Sequence, residues 1–161
     1  MSSEKMTHNK MKHLKIGDKA PDFKSLDQNG NPIQLSDFVG SKLVLFFYPK
    51  ASTPGCTLEA QNLRDHYQDF LDKNYKVVGV SADAVVKQKN FCDKNQLPFP
   101  LIADVSKEVI QAYGVWGPKK FMGKEFDGIH RTTFIINADG MIESIIEKVE
   151  TKNHAYQILS F

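Results

Sequence analysis

The chain has 161 residues, 41% hydrophobic and 25% charged, with a formal net charge of +2. That composition fits one soluble globular domain; the charge is too nearly balanced for a nucleic-acid binder, and no run approaches the ~20 apolar residues that span a bilayer. Met1 to His13 is polar and Lys-rich, lacks the apolar stretch of a secretory signal, and is expected to be a flexible extension before a domain over residues 14–161.

In chain order, Asp22 to Ser25 and Ile33 to Leu35 read as short strands around the turn Gln28-Asn29-Gly30-Asn31. Ser36 or Asp37 caps a brief helical turn. Leu43 to Tyr48 is a continuous apolar run, the pattern of a central strand covered on both faces. Cys56, Ala60, Leu63, Tyr67, Phe70 and Leu71 then recur at helical spacing, which puts Cys56 on the inward stripe at the first turn of a helix. Val77 to Ser81 is a second strand of the parallel type. Residues 84–95 read as a helix with Asp83 as N-cap. Leu101 to Ala103 is a short strand, and Lys107 to Tyr113 a short helix that stops at Gly114. Gly114 to Gly128, with four glycines and a proline, reads as a surface loop. Thr132 to Ile136 and Met141 to Val149 form a hairpin around Asn137-Ala138-Asp139-Gly140, and Asn153 to Phe161 a terminal helix. Strands alternating with helices, closed by a hairpin and a helix, give an α/β fold: a thioredoxin-like three-layer sandwich with a central mixed sheet and an N-terminal extension.

The chemistry concentrates at Cys56. Unpaired N–H groups and the positive end of a helix dipole favour the thiolate of a cysteine in a first turn. Thr53 precedes it by three positions, on a loop short enough to turn its hydroxyl over the helix start and donate to a bound oxygen. Pro49 would shield the sulfur and fix the loop. Arg131 opens the strand beside the cysteine, where a guanidinium would hold a thiolate and stabilise charge on a departing oxygen. Singly, each has a plainer reading: Cys56 as a small core residue, Thr53 as a cap, Arg131 as a surface ion-pair partner. Glu59 and Arg64 either orient Arg131 or pair on the surface. Tyr48, Trp116 and Phe121 either line an entrance or simply pack. None of the five histidines sits in a ligand pattern, and solvated positions are expected for them. The two cysteines make neither a disulfide scaffold nor a zinc site, since C-x-x-C and H-x-x-x-H are absent, and a cytoplasmic setting follows.

Taken jointly, Pro49-x-x-x-Thr53-x-x-Cys56 resembles the peroxiredoxin signature. Phe47-Tyr48-Pro49-Lys50, Thr53-Pro54-Gly55-Cys56-Thr57 and Glu59 are similar to the bacterioferritin comigratory protein (PrxQ) subfamily. The similarity runs from about Ile16 to the C-terminus through Ala20-Pro21-Asp22-Phe23, Val78-Gly79-Val80-Ser81, Phe99-Pro100-Leu101-Ile102-Ala103-Asp104 and Arg131-Thr132-Thr133-Phe134. The resemblance implies a thiol peroxidase acting on hydrogen peroxide and alkyl hydroperoxides, with Cys56 peroxidatic and Pro49, Thr53 and Arg131 assisting. It implies no metal, haem or flavin, thioredoxin as reductant, and a monomer or weak dimer. Ala51-Ser52 departs from the acidic or Asn-containing loops common in the subfamily, with little effect expected.

Many members of the subfamily carry a resolving cysteine five positions after the peroxidatic one, where this chain has Gln61. Others place it on the next helix, which implies a Cys56–Cys92 disulfide and local unwinding around both residues on oxidation. Cys92 also lies seven positions after Val85, as an inert core residue would. The alternatives that stay open are a one-cysteine peroxidase resolved by an external thiol, and a non-enzymatic thioredoxin-like chaperone or binding module.

Overall fold

The computed structural model describes residues 13–160. Residues 1–12 of the expected extension, and Phe161 at the end of the expected terminal helix, lie outside the described residues.

The apolar run becomes strand β3 (Lys42–Phe47), buried from Leu43 onward and central in a five-stranded sheet. Its neighbours are β4 (Tyr75–Ser81), parallel to it, and β8 (Thr132–Ile136), antiparallel to it. β5 (Leu101–Ala103) extends the sheet beyond β4, and β9 (Ile142–Ile146) beyond β8, with an irregularity between Ile135 and Ile136. The sheet is therefore mixed. β1 (Lys24–Leu26) and β2 (Pro32–Gln34) pair separately, followed by a 3-10 turn over Leu35–Phe38.

Alternation along β3 sorts the core into two faces. Val44, Phe46 and Tyr48 pack with α1 (Pro54–Asp65), α2 (Tyr67–Asp72), α3 (Val85–Asn95) and α5 (His154–Leu159). Leu43, Leu45 and Phe47 pack with α4 (Glu108–Ala112), Tyr113, Phe23 and Ile33. A β-strand shows successive side chains to opposite faces, so this one segment serves both cores. The layering is the thioredoxin-like one expected.

Three local expectations are corrected. The apolar stripe from Cys56 to Leu71 does not lie on one helix: the chain breaks at His66 (φ −108°, ψ 16°) between α1 and α2. Gly114 to Gly128 is not an irregular loop but contains a hairpin, β6 (Trp116–Phe121) with β7 (Lys124–Ile129). Its two turn residues, Met122 and Gly123, both take positive φ, as tight two-residue hairpins require. Asp83 does not cap α3; the N-cap is Ala84, with no side-chain cap bond.

Candidate active site

β3 delivers the chain through Tyr48 to half-buried Pro49, which opens the loop to α1. Asp83 holds that loop instead of capping a helix. Its Oδ2 accepts the Ala51 N–H at 2.8 Å and the Ser81 hydroxyl at 2.7 Å. Behind Ser81, the Gln88 amide donates to Ser81 Oγ and to the Ile102 carbonyl, while its Oε1 accepts the Tyr48 hydroxyl at 2.6 Å. This buried network is satisfied at each atom named, which makes it stiff. It ties the loop to β4, β5 and α3. Tyr48 is thus a packed core residue, not an exposed wall.

Thr53 is the N-cap of α1 in extended conformation, and Pro54 takes the first helical position, where its missing N–H costs nothing. The Thr53 side chain makes no cap bond; its hydroxyl donates to the Lys50 carbonyl at 2.7 Å. That hydrogen is therefore not directed at a bound oxygen, contrary to the expectation from the sequence, and the oxygen is left with its lone pairs. The first intrahelical bond runs from Thr57 N–H to Thr53 O, so the N–H of Cys56 lies among the orphan donors of the helix start.

Cys56 is 1% exposed. Arg131, just before β8, donates from Nη2 to Cys56 Sγ at 3.4 Å and from Nη1 to Glu59 Oε1 at 2.6 Å. A Cβ on Gly55 would stand 3.3 Å from Nη2, so glycine is what allows the guanidinium so close to the helix. Burial works against the Arg131 charge, but the facing Glu59 and Cys56 carry its pKa above the ordinary value. Glu59 is fully buried, and burial, outweighing Arg131, pushes its carboxyl up to about 7. Of the two acidic and basic residues of α1 considered for orienting Arg131, Glu59 does so. Arg64 instead bonds Asp65 and the Asn95 carbonyl.

Two residues at the site were not foreseen. Histidines were expected at solvated positions, yet His154 is fully buried with Nε2 3.6 Å from Glu59 Oε2, and burial lowers its pKa to about 4. Lys119, on the hairpin read as a loop, donates to the Ile129 carbonyl at 2.9 Å; burial and the charge of Arg131 lower its pKa, against the pull of Cys56. A solitary histidine opening a short terminal helix, and a lysine among glycines, leave no sequence pattern that would have singled them out.

Cys92 is also buried, near the end of α3. Its thiol donates to the Leu97 carbonyl at 3.3 Å, and the Gln28 amide approaches the sulfur at 3.7 Å while Gln28 Oε1 accepts the Leu101 N–H. Burial pushes its pKa up. Both cysteines are free thiols packed in the same core cluster. Gln61 bonds Asn95 Oδ1 at 3.0 Å, joining α1 to the end of α3.

Trp116 is half-buried with Lys107 Nζ 5.2 Å from its ring centre, and Phe121 is exposed near the hairpin tip. A cleft of about 420 Å³ borders Arg131, Lys119, Tyr113 and Phe134 but not Cys56. Among the described residues no three His, Cys, Asp or Glu side chains gather as a metal site, and no helix is long and apolar enough to cross a membrane.

Residues 16–145 match the model of the AhpC/TSA family. The chain is 44% identical over 151 residues to Peroxiredoxin Bcp of Escherichia coli, covering 94% of this chain and 97% of that one. A cysteine-to-serine variant of Xylella fastidiosa PrxQ superposes with a TM-score of 0.87 at 31% identity, over 92% of this chain and 95% of the other. Xanthomonas campestris bacterioferritin comigratory protein, solved as a trapped intermediate/ligand complex and described for its alkyl peroxide reduction activity, superposes with a TM-score of 0.81 at 33% identity, over 86% and 88%.

Proposed function

Because the chain belongs to the AhpC/TSA family and is a peroxiredoxin, an enzyme that reduces peroxides, we propose that Cys56 is its peroxidatic cysteine. The observation that carries this reading is the Arg131 Nη2–Cys56 Sγ contact at 3.4 Å. A positive charge beside the sulfur and the orphan N–H groups of the helix start favour the thiolate. Thr53, its hydrogen engaged by Lys50, accepts a hydrogen bond from the hydroperoxide O–H and so orients it. Pro49 keeps water from the sulfur. The thiolate attacks the terminal oxygen in line; the S–O bond forms as the O–O bond breaks. Cys56 becomes a sulfenic acid and the departing oxygen leaves as water or alcohol after protonation. Arg131 stabilises the charge on that oxygen as it develops. Hydrogen peroxide and alkyl hydroperoxides are the substrates.

Cys92 resolves. Its sulfur attacks the sulfenic sulfur, water leaves, and a Cys56–Cys92 disulfide forms for reduction by a thioredoxin-type dithiol. Bridging needs Cα atoms within about 7 Å. The Leu97 and Gln28 contacts must break first, and the ends of α1 and α3 unwind to allow it. The enzyme acts as a monomer or weak dimer in the cytoplasm, where free thiols persist. The same tethers favour one rival: with Cys92 held and its pKa raised, an external thiol would resolve Cys56.

Catalysed peroxide consumption with a dithiol reductant tests the assignment. Cys56→Ser should fall to the uncatalysed rate; a variant that keeps turning over would remove Cys56 from the chemistry.

A further inference from the structure

Glu59 Oε2 is the one buried side-chain oxygen or nitrogen without a hydrogen-bond partner among the described residues. What faces it is His154 Nε2 at 3.6 Å. The histidine's tautomer follows from its neighbours. Gln157 Oε1 accepts the Glu150 N–H at 2.9 Å, and Gln157 Nε2 donates to the Lys148 carbonyl at 3.0 Å, which fixes the amide. The atom 2.7 Å from His154 Nδ1 is therefore an oxygen, and Nδ1 carries the ring hydrogen. Nε2 is then an acceptor, and Thr133 Oγ1, 2.7 Å away, donates to it. An ionised Glu59 would set a carboxylate oxygen against a nitrogen lone pair, both 0% exposed. A buried anion in that position is costly. One proton, on Oε2 or on Nε2 with Thr133 turned, removes the conflict.

We propose that the buried Glu59–His154 pair holds one exchangeable proton that keeps the charge of Arg131 available to Cys56. This deepens the peroxidase reading above and rests on it. With the proton in place the pair is neutral, and Arg131 Nη1 donates to a carboxyl oxygen while Nη2 keeps its charge for the thiolate and the departing oxygen. When the proton passes to solvent base, a full carboxylate lies 2.6 Å from Nη1 and competes for the guanidinium. The site is switched down from behind, by a residue that touches neither sulfur nor peroxide. The charged and titratable groups that face Glu59 are Arg131 before β8 and His154 from α5; Cys56, on the same helix, is reached through Arg131, and Lys119 from β6 interacts with Arg131 and Cys56. Raised Glu59 and lowered His154 agree in placing the proton on the carboxyl near neutral pH. His154 is thus a positioning residue acting through Glu59.

The second-order rate constant of Cys56 oxidation, followed by stopped flow against pH, reads the switch. In wild type the rate falls by about tenfold above neutral pH as Glu59 loses its proton. Glu59→Gln, whose amide carries hydrogens at every pH, loses the descending limb. His154→Gln presents an amide N–H to Oε2, favours the carboxylate and moves the limb to lower pH. A Glu59→Gln enzyme that keeps the descending limb, or a wild type without one, overturns the proposal. Infrared difference spectra of the wild type read the proton without turnover: a protonated-carboxyl band should vanish above neutral pH and be missing in Glu59→Gln. No such band in the wild type also overturns it. If Cys56 fails to react with peroxide at any pH, the peroxidase reading falls, and the infrared band still decides where the proton is.

Discussion

Two cysteines, both buried and both on helices against the same core, occupy opposite electrical settings. Cys56 sits where α1 begins, beneath orphan N–H groups and against a guanidinium. Cys92 sits where α3 ends, donating to a carbonyl, with its pKa pushed up by burial. At 1% and 8% exposure, solvent access does not separate them. What separates them is the sign of the partial charges around each sulfur, and helix polarity supplies much of it. In the proposed cycle the sulfur at the helix start attacks the peroxide and the sulfur at the helix end resolves.

The comparison breaks most visibly if the positive partner is removed. Arg131→Ala should slow Cys56 oxidation by about 10²–10³-fold, the usual cost of losing one donor to a developing oxyanion. Arg131→Lys should recover only part, because an ammonium lacks the fork that reaches Sγ and Glu59 together. Stopped-flow oxidation rates measure both, and an unchanged rate in Arg131→Ala would make the two cysteine settings equivalent.

Next in size is a pH effect on stability confined to the Cys56 end. Glu59 has its pKa raised from 4.5 to about 7, so the folded state holds a proton the unfolded chain lacks in that window. Its contribution is present at low pH and is lost as pH rises through 7. His154 has its pKa lowered from 6.5 to about 4, so its contribution runs the other way, lost as pH falls from 6.5 to 4. In the wild type the two slopes oppose each other. Glu59→Gln removes the first, so its Tm relative to wild type should climb between pH 4.5 and 7. A constant difference across that range would show that no buried titration lies behind Cys56.

Smaller effects sharpen the Cys92 side. Gln28→Ala removes the amide beside Cys92 and the acceptor of the Leu101 N–H, at a cost of about 1 kcal/mol in denaturant unfolding. Disulfide formation after peroxide addition should be faster in this variant. A slower or unchanged rate would mean the tether does not limit release of Cys92. The smallest change belongs to the loop: Ser52 holds φ +67°, where asparagine is more at ease. Ser52→Asn should raise stability by about 0.5 kcal/mol with little change in oxidation rate.

The same contrast explains what could be read in the chain beforehand. Cys56, Thr53, Pro49 and Arg131 form a pattern whose spacing carries meaning even before folding, and the run at β3 fixed the sheet's centre. The fold order followed from alternating periodicities. What escaped depended on tertiary placement. His154 opens an otherwise ordinary short helix, and only packing against α1 buries it beside Glu59. Asp83 looks like a cap because Asp before a helix usually is one, yet a loop N–H from Ala51 claims its carboxylate. The β6–β7 hairpin was hidden because its turn, Met122-Gly123, is one glycine among several and Pro118 interrupts the strand pattern. Thr53's hydrogen-bond direction is set by where the Lys50 carbonyl points, which no spacing encodes.

The division of labour between the two thiols is tested most directly by intact-mass and peptide mass spectrometry of wild type and Cys92→Ser after one equivalent of hydrogen peroxide, with a sulfenic-acid trap present. The account predicts a Cys56–Cys92 disulfide in the wild type and a trapped sulfenic acid at Cys56 in the variant. Trapping at Cys56 in both proteins with no Cys56–Cys92 bond would contradict it and leave Cys92 a core residue; no reaction at Cys56 in either would contradict the peroxidatic assignment itself.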